Sequence, residues 1–288
     1  MSESEILLKR RTARLSVMSN ATLVLCKLIV GILTGTVSVV SEAIHSGVDL
    51  LASTISFMAV RKSSEPPDES HDYGHGKVEN VSAAAESVLI ILAGIFILRE
   101  AIEKIIAPQP SQSLDLAIAV MAVSSLINVA VSQRMHMIGK RTGSAAIQAE
   151  ALHLRSDVWS SAAVLTGIVL MKLTGYAWID PVIAVCVAVG IMSMGAKMFR
   201  QSYNMLMDAS LSPAEEAAIG SIIMGTPGVM GYHHLRTRKA GEKTVLDFHL
   251  ELDKDMALQD AHAISEEVEQ SLHHHCGPCD PTIHVEPR

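Results

Sequence analysis

The chain has 288 residues, of which 49% are hydrophobic, a mean hydropathy of +0.32 and a formal net charge of −7. That hydropathy is high for a soluble enzyme and low for a chain lying wholly in a membrane, so a membrane part joined to a polar domain is expected. The mild acidity and the lack of a basic stripe argue against a nucleic-acid partner.

Six apolar segments follow in chain order: Leu15–Gly35, Val37–Val60, Val81–Leu98, Leu114–Val131, Ala145–Met171 and Pro181–Met198. Each is near the roughly 20 residues that a helix needs to cross a bilayer. The third carries Glu86, and the fifth carries Glu150, His153, Arg155 and Asp157. Ionisable groups at membrane depth are costly, so these two helices are expected to face a protein interior or a wet cavity. Cys26 and Cys186 lie in apolar spans and are expected to pack as small hydrophobes.

The basic residues cluster at alternate ends of the spans: Lys9, Arg10, Arg11 and Arg14, then Arg61, Lys62 and Lys77, then Arg134, Lys140 and Arg141, then Lys197 and Arg200. The positive-inside rule then places both termini in the cytoplasm, and an even number of spans agrees. The start of the chain is charged and shows no cleavable signal peptide.

After Met205 the hydropathy falls. Ser212 fits a helix N-cap, Pro213 the first helical position, and Glu215 and Glu216 the first turn. Pro227-Gly228 breaks the chain. Strand-like runs at Val229–Arg238 and Thr244–Leu252 follow, joined by a turn at Ala240-Gly241. A helical pattern over Ala257–Leu272 and a short strand at Thr282–Val285 complete an α-β-β-α-β order, a small open α/β sandwich. The expected architecture is an α-helical membrane protein, with a six-helix transmembrane domain over 1–208 and a cytoplasmic α/β domain over 209–288.

Two copies of one pattern carry the chemistry: His45-Ser-Gly-Val-Asp49 in the second span and His153-Leu-Arg-Ser-Asp157 in the fifth. Residues four apart share one face of a helix, so each span offers an imidazole and a carboxylate from one stripe. Two nitrogen and two oxygen ligands from facing helices suit tetrahedral Zn²⁺, and the depth points to a divalent ion crossing the membrane. The bland alternative is a pair of core histidines with interhelical hydrogen bonds; identical spacing in separate spans weighs against it.

Three further clusters stand beside this quartet. Asp68, His71 and His75 lie in the loop between the second and third spans, where a plain solvated loop is the competing reading. His233, His234, His249, His262, His284 and Glu286 are scattered over the tail, where surface histidines are the competing reading. His273-His274-His275-Cys276-Gly277-Pro278-Cys279 has plausible zinc-ligand spacing and also the spacing of a redox Cys-x-x-Cys, and its role stays open.

Six spans, the two His-x-x-x-Asp patterns, Gly74-His75-Gly76-Lys77 and the ending His284-Val285-Glu286-Pro287 together resemble the cation diffusion facilitators over nearly the whole chain. The resemblance implies a homodimer in the bacterial inner membrane with a ferredoxin-like cytoplasmic domain, exporting Zn²⁺ or a related divalent ion in exchange for protons. It also implies a transport site at His45, Asp49, His153 and Asp157, a loop site at Asp68, His71 and His75, and tail sites at His233, His249, His262, His284 and Glu286. Two departures are visible. Many bacterial members carry Asp where this chain has His45, and some zinc-bound relatives carry Asp where it has Glu286.

The reading is therefore a proton-coupled zinc exporter rather than an enzyme, with Zn²⁺ as cargo and as a structural or regulatory ion. Its partners are the metal ion, protons and the bilayer. Fe²⁺, Cd²⁺ and Co²⁺ are alternative cargoes; two imidazoles disfavour Mn²⁺. A membrane metalloenzyme or a metal sensor is the rival from another class, and the ligand pairs lack the catalytic groups an enzyme needs beside them.

Overall fold

The computed structural model describes the chain except residues 1–2, 35–36, 107–114, 175, 177 and 242, and the side chain of His45 also lies outside the described residues. Six long helices come first: α1 (Glu3–Thr34), α2 (Val37–Ser63), α3 (Val78–Ile106), α4 (Asp115–Thr142), α5 (Ala145–Thr174) and α6 (Ile179–Leu206). They extend past the six apolar segments at several ends, because a helix continues through polar residues wherever no breaker intervenes. Three of them contain stretches long and apolar enough to cross a membrane, at Ser4–Val30, Val78–Glu103 and Pro181–Leu206, among the described residues. Several polar residues of α2 and α5 turn inward instead. Asp49 on α2 and Glu150 and His153 on α5 are all buried.

The chain forms two compact units, Ser2–Glu65 with Val78–Tyr203, and Pro66–Lys77 with Asn204–Arg288. In the helical unit, Ala13, Ala59, Ala146 and Ala151 meet Val60, Met135, Ile147 and Leu154 in one buried cluster. Small residues at the crossings let helix backbones approach closely, the usual solution where lipid supplies no hydrophobic drive between helices. The outward faces remain apolar, as lipid requires. Cys26 and Cys186 belong to those faces: both are exposed, so neither packs in a core of this chain.

A buried polar latch ties the helix ends of this unit. Glu79, at the start of α3, accepts from Ser63 Oγ at 2.7 Å and from Ser144 Oγ, and lies 3.4 Å from Lys9 Nζ on α1. A buried carboxylate needs such partners, since the desolvation of an unpaired charge is prohibitive.

The second unit holds α7 (Pro213–Gly225), β1 (Gly231–Ala240), β2 (Lys243–Leu252), α8 (Leu258–Cys276) and β3 (Cys279–Pro287). The expected start of α7 is present as a capping box. Ser212 accepts from the Glu215 amide, and the Glu215 carboxylate accepts from the Ser212 amide, with Pro213 opening the helix. That hydrogen bonding, Ser212 Oγ first, holds the Glu215 carboxyl below its ordinary value. β1 pairs antiparallel with β2, and β2 pairs parallel with β3, in the order β1-β2-β3.

Alternate residues of β2, namely Leu246, Phe248, Leu250 and Leu252, are buried against Ile219 and Ile223 of α7 and Val268 and Leu272 of α8. Period-two geometry then sends Asp247, His249 and Glu251 to the opposite face of the sheet, away from the helices. β3 runs longer than its sequence pattern, because ladder pairing extends a strand through polar positions that hydrophobic alternation does not mark, and β1 starts and ends two residues later than the expected Val229–Arg238.

Candidate metal sites

In the helical unit, Asp49 on α2 and His153 and Asp157 on α5 each bring a ligand atom within 4.8 Å of the others. His153 Nε2 lies 3.1 Å from Asp49 Oδ1 and 4.0 Å from Asp157 Oδ2. Its other ring nitrogen, Nδ1, is buried without a hydrogen-bond partner. The helical spacing of four sets His153 beneath Asp157, and packing of α2 on α5 supplies Asp49. The α2 backbone is braced here: Asn20 Nδ2 donates to the Asp49 carbonyl at 3.4 Å. Position 45 lies one helical turn before Asp49 on α2, with its side chain outside the described residues.

Two further carboxylates are buried in the helical unit, outside this group of three. Glu150, one turn before His153, is fully buried and accepts from Ser16 Oγ at 2.6 Å. Glu86 on α3 is 1% exposed and accepts from Ser82 Oγ at 3.1 Å. Their presence inside apolar spans was the available signal.

The loop residues of the second unit also converge. Asp68 Oδ1 accepts from the Ser70 and His71 amides at 2.9 and 2.8 Å and lies 3.1 Å from His71 Nδ1. The Ser70 amide, followed by the His71 ring, holds the Asp68 carboxyl below its ordinary value. His75 Nε2 is 3.2 Å from Asp68 Oδ2, and the His71 and His75 rings are 4.6 Å apart. His75 is buried, and neither of its ring nitrogens makes a hydrogen bond. A buried imidazole whose nitrogens lack hydrogen bonds, set beside an ionised carboxylate, is the donor arrangement that a divalent ion completes.

This loop packs on the tail within the same unit. Lys77 Nζ lies 2.7 Å from Asp208 Oδ1, Arg238 lies 3.5 Å from the same oxygen, and the Arg238 guanidinium stands 4.8 Å over the Tyr73 ring. Lys77 holds the Asp208 carboxyl below its ordinary value. Gly76 and Gly241 touch backbone to backbone; a Cβ on Gly76 would lie 2.7 Å from the Gly241 Cα.

In the tail, strand register explains the third cluster. His233 of β1 is opposite His249 of β2, which is opposite His284 of β3, and Glu251 is opposite Glu286 in the next row of that face. Glu286 Oε1 lies 2.8 Å from His249 Nδ1 and 3.6 Å from His284 Nε2, while Oε2 lies 3.2 Å from His233 Nε2. His233, His249 and Glu286 bring ligand atoms within 4.8 Å of one another. The hydrogen bond with His249 holds the Glu286 carboxyl below its ordinary value. His233 Nδ1 is buried and lies 3.3 Å from Glu251 Oε1 without a hydrogen bond, so a second carboxylate stands beside a donor set that fits a divalent ion.

His262 stands apart from this row. It lies on α8, exposed, with Nε2 3.5 Å from Glu266. The reason is the helical face: Ala261, Val268 and Leu272 take the buried stripe of α8, which leaves His262 beside it toward solvent. The Cys-x-x-Cys segment lies against the tail core. Cys279 is 3% exposed in the tail core with Cys276 against it, burial raises both thiols, and Cys279 Sγ lies 3.5 Å from His273 Nδ1.

The pattern described as the cation efflux transmembrane domain matches residues 13–207, and that of the cation efflux protein cytoplasmic domain matches residues 211–288. The chain belongs to the cation diffusion facilitator family. Within that family, the cation-efflux pump FieF of Serratia proteamaculans is 32% identical over 265 residues, covering 92% of this chain and 88% of the relative. An uncharacterized transporter of Synechocystis is 32% identical over 257 residues, covering 88% of this chain and 83% of the relative. Among solved structures, the metal-bound C-terminal domain of the CzcD transporter from Thermotoga maritima is 27% identical, covering 27% of this chain and 94% of that one, with a TM-score of 0.24. As a cation diffusion facilitator the chain is a cation efflux transporter, with a helical transmembrane domain followed by a cytoplasmic domain containing the small sheet.

Proposed function

We infer that the chain exports Zn²⁺ from the cytoplasm in exchange for protons, as a homodimer in the bacterial inner membrane with both termini cytoplasmic. Residues 1–208 form the transport domain and residues 209–288 the metal-binding and dimerisation domain. The observation that carries this reading is the meeting of Asp49, His153 and Asp157 from two helices, with position 45 one turn away on α2.

The donor chemistry supports zinc. Imidazole is a borderline ligand that suits zinc over the oxygen-preferring ions, and two carboxylates offset the charge of a dication. The same geometry supports proton exchange. His153 Nε2, set between Asp49 and Asp157, is the atom that would bind either a proton or the metal. An ion arriving from the cytoplasm must displace that proton, and protons from the outside displace the ion. Asp49 and Asp157 hold the charge of whichever is present, and Asn20 keeps the α2 backbone in register while they exchange.

The loop trio of Asp68, His71 and His75 and the tail row of His233, His249, His284 and Glu286 then serve as cytoplasmic zinc sites. Both belong to the same compact unit, so an ion at either one stiffens the segment bearing Lys77 and Asp208. Proteoliposome flux across a panel of divalent ions at two pH values tests the proposal. Zinc uptake into inside-out vesicles, driven by an acid lumen and accompanied by proton movement, is the expected result. Metal binding without flux would replace the transporter reading with that of a sensor.

A further inference from the structure

Two neighbouring residues of a regular strand face opposite sides of its sheet. His233 faces the imidazole row, so regular alternation would send His234 to the helix side, into the apolar core. The observed strand avoids this. The pairing runs His233 to His249 and then Arg236 to Asp247, so His234 and Leu235 together stand opposite Phe248 alone. This is a β-bulge with His234 as one of its two residues. Its φ is +54°, in the left-handed region that few non-glycine residues occupy, though histidine does so more readily than most.

The bulge has two consequences. Leu235 packs against the tail core beside Phe248. The His234 ring comes back to the imidazole face, with its centroid 4.8 Å from the His233 ring and 5.1 Å from the His249 ring. Both contacts are edge-on, at 61° and 66°. Glu286 reaches His233 and His249 with its two oxygens, and the exposed His234 ring stands against both of those rings at the edge of that volume. Unfavourable backbone geometry persists where the surrounding structure fixes it, and such positions gather at ligand clamps.

We propose that His234 is a metal ligand of the tail site and gives that site its preference for nitrogen-favouring ions such as Zn²⁺ and Co²⁺ over Mn²⁺. The proposal rests on the tail row being a zinc site. With His234 the site offers His233, His234 and His249 as nitrogen donors and Glu286 as the oxygen donor, a tetrahedral set in which nitrogen outnumbers oxygen. Without it, the share of oxygen rises and the distinction between zinc and manganese weakens. His284, 4.7 Å from the His249 ring on the far side, stays available to the other face of the same carboxylate.

The test uses the full chain in detergent, carrying Asp157→Ala and His75→Ala so that the tail dominates binding. Zn²⁺ and Mn²⁺ affinities are measured by calorimetry, and Co²⁺ by its visible absorption, for the parent, His234→Asn, His234→Gly and His249→Ala. Asparagine and glycine both accept the left-handed conformation, so these two variants keep the bulge and remove only the imidazole. The expected result is a loss of zinc affinity of about 10-fold or more in both, with a changed Co²⁺ spectrum and a smaller zinc-to-manganese ratio. Parent-like affinity and spectrum in both variants, while His249→Ala abolishes binding, would overturn the role of His234 and leave the tail site standing. Parent-like titration of His249→Ala as well would remove the tail site itself, and His234 as a ligand with it.

Discussion

His153 Nε2 lies 3.1 Å from Asp49 Oδ1, and the two residues are 104 positions apart in sequence. The contact joins α5 to α2 at a buried position in the helical unit. It pairs the imidazole of one His-x-x-x-Asp pattern with the carboxylate of the other. Neither helix alone gathers three candidate ligands; the crossing of the two brings Asp49, His153 and Asp157 together.

Asp157→Ala should abolish zinc flux while the protein still inserts and folds. The change removes a ligand and leaves a single carboxylate to offset the two charges of the ion. Flux in proteoliposomes, with circular dichroism as the control for folding, decides the matter. Retention of half the wild-type flux would count against this site.

His45→Asp should widen the cargo range to admit Cd²⁺ beside Zn²⁺. A carboxylate in place of an imidazole relaxes the preference for small tetrahedral coordination, and the larger ion accepts extra oxygen contacts. The measurement is the Cd²⁺-to-Zn²⁺ flux ratio, which should rise; an unchanged ratio removes position 45 from the selectivity argument.

Zinc binding at the loop and tail clusters should weaken as pH falls, because an imidazole must be neutral to ligate and protons compete with the metal for its nitrogen. The carboxylates contribute nothing to this slope. The carboxyls of Asp68, Asp208 and Glu286 are held below their ordinary values by the Ser70 amide, Lys77 and His249 respectively. A depressed carboxyl stabilises the fold above its unfolded value, and that contribution disappears only as pH falls through the depressed value, below about 4. Calorimetry at several pH values should show zinc affinity falling toward acid well above that range, and a flat profile would exclude imidazole ligation.

His249→Ala combined with His284→Ala should remove the tightest cytoplasmic binding event. It takes two of the three imidazoles from the cross-strand row and leaves Glu286 with His233 alone on the oxygen facing it. If the double variant titrates like wild type, the tail is a dimerisation module without a zinc-sensing role.

Gly241→Ala should destabilise the second unit by about 1–2 kcal/mol, from the left-handed conformation alone. Gly241 has φ +67°, and its added Cβ would fall 2.8 Å from the Gly76 Cα. Thermal unfolding monitored through the tail should show a lower midpoint. An unchanged midpoint would mean that the turn does not hold position 241 in the left-handed conformation.

Much of this protein is written in its sequence. Apolar length marks the helices of the membrane part, because a bilayer sets that length. Spacing of four sets each His beside its Asp, because a helix repeats near that number. Ser212, Pro213 and Glu215 mark the start of α7, because a helix end leaves amides that a side chain must satisfy. Alternation at Thr244–Leu252 identifies the core face of β2 and so the opposite face of His249.

The tertiary structure decided what local periodicity cannot. Periodicity gives a face but not a partner, so only strand register aligned His233, His249 and His284 in one row. His262, equally plausible by residue type, stayed out because it lies beside the buried stripe of α8 and not within the sheet. His234 meets the rings of His233 and His249 because one bulge reverses the strand's alternation there. Glu79 gained its role from Lys9, Ser63 and Ser144, which helix packing gathers from separate parts of the chain. The physical reason is common to all four: a ligand set or a buried charge is satisfied by atoms converging in space, and convergence between elements follows from packing and pairing that no single segment encodes.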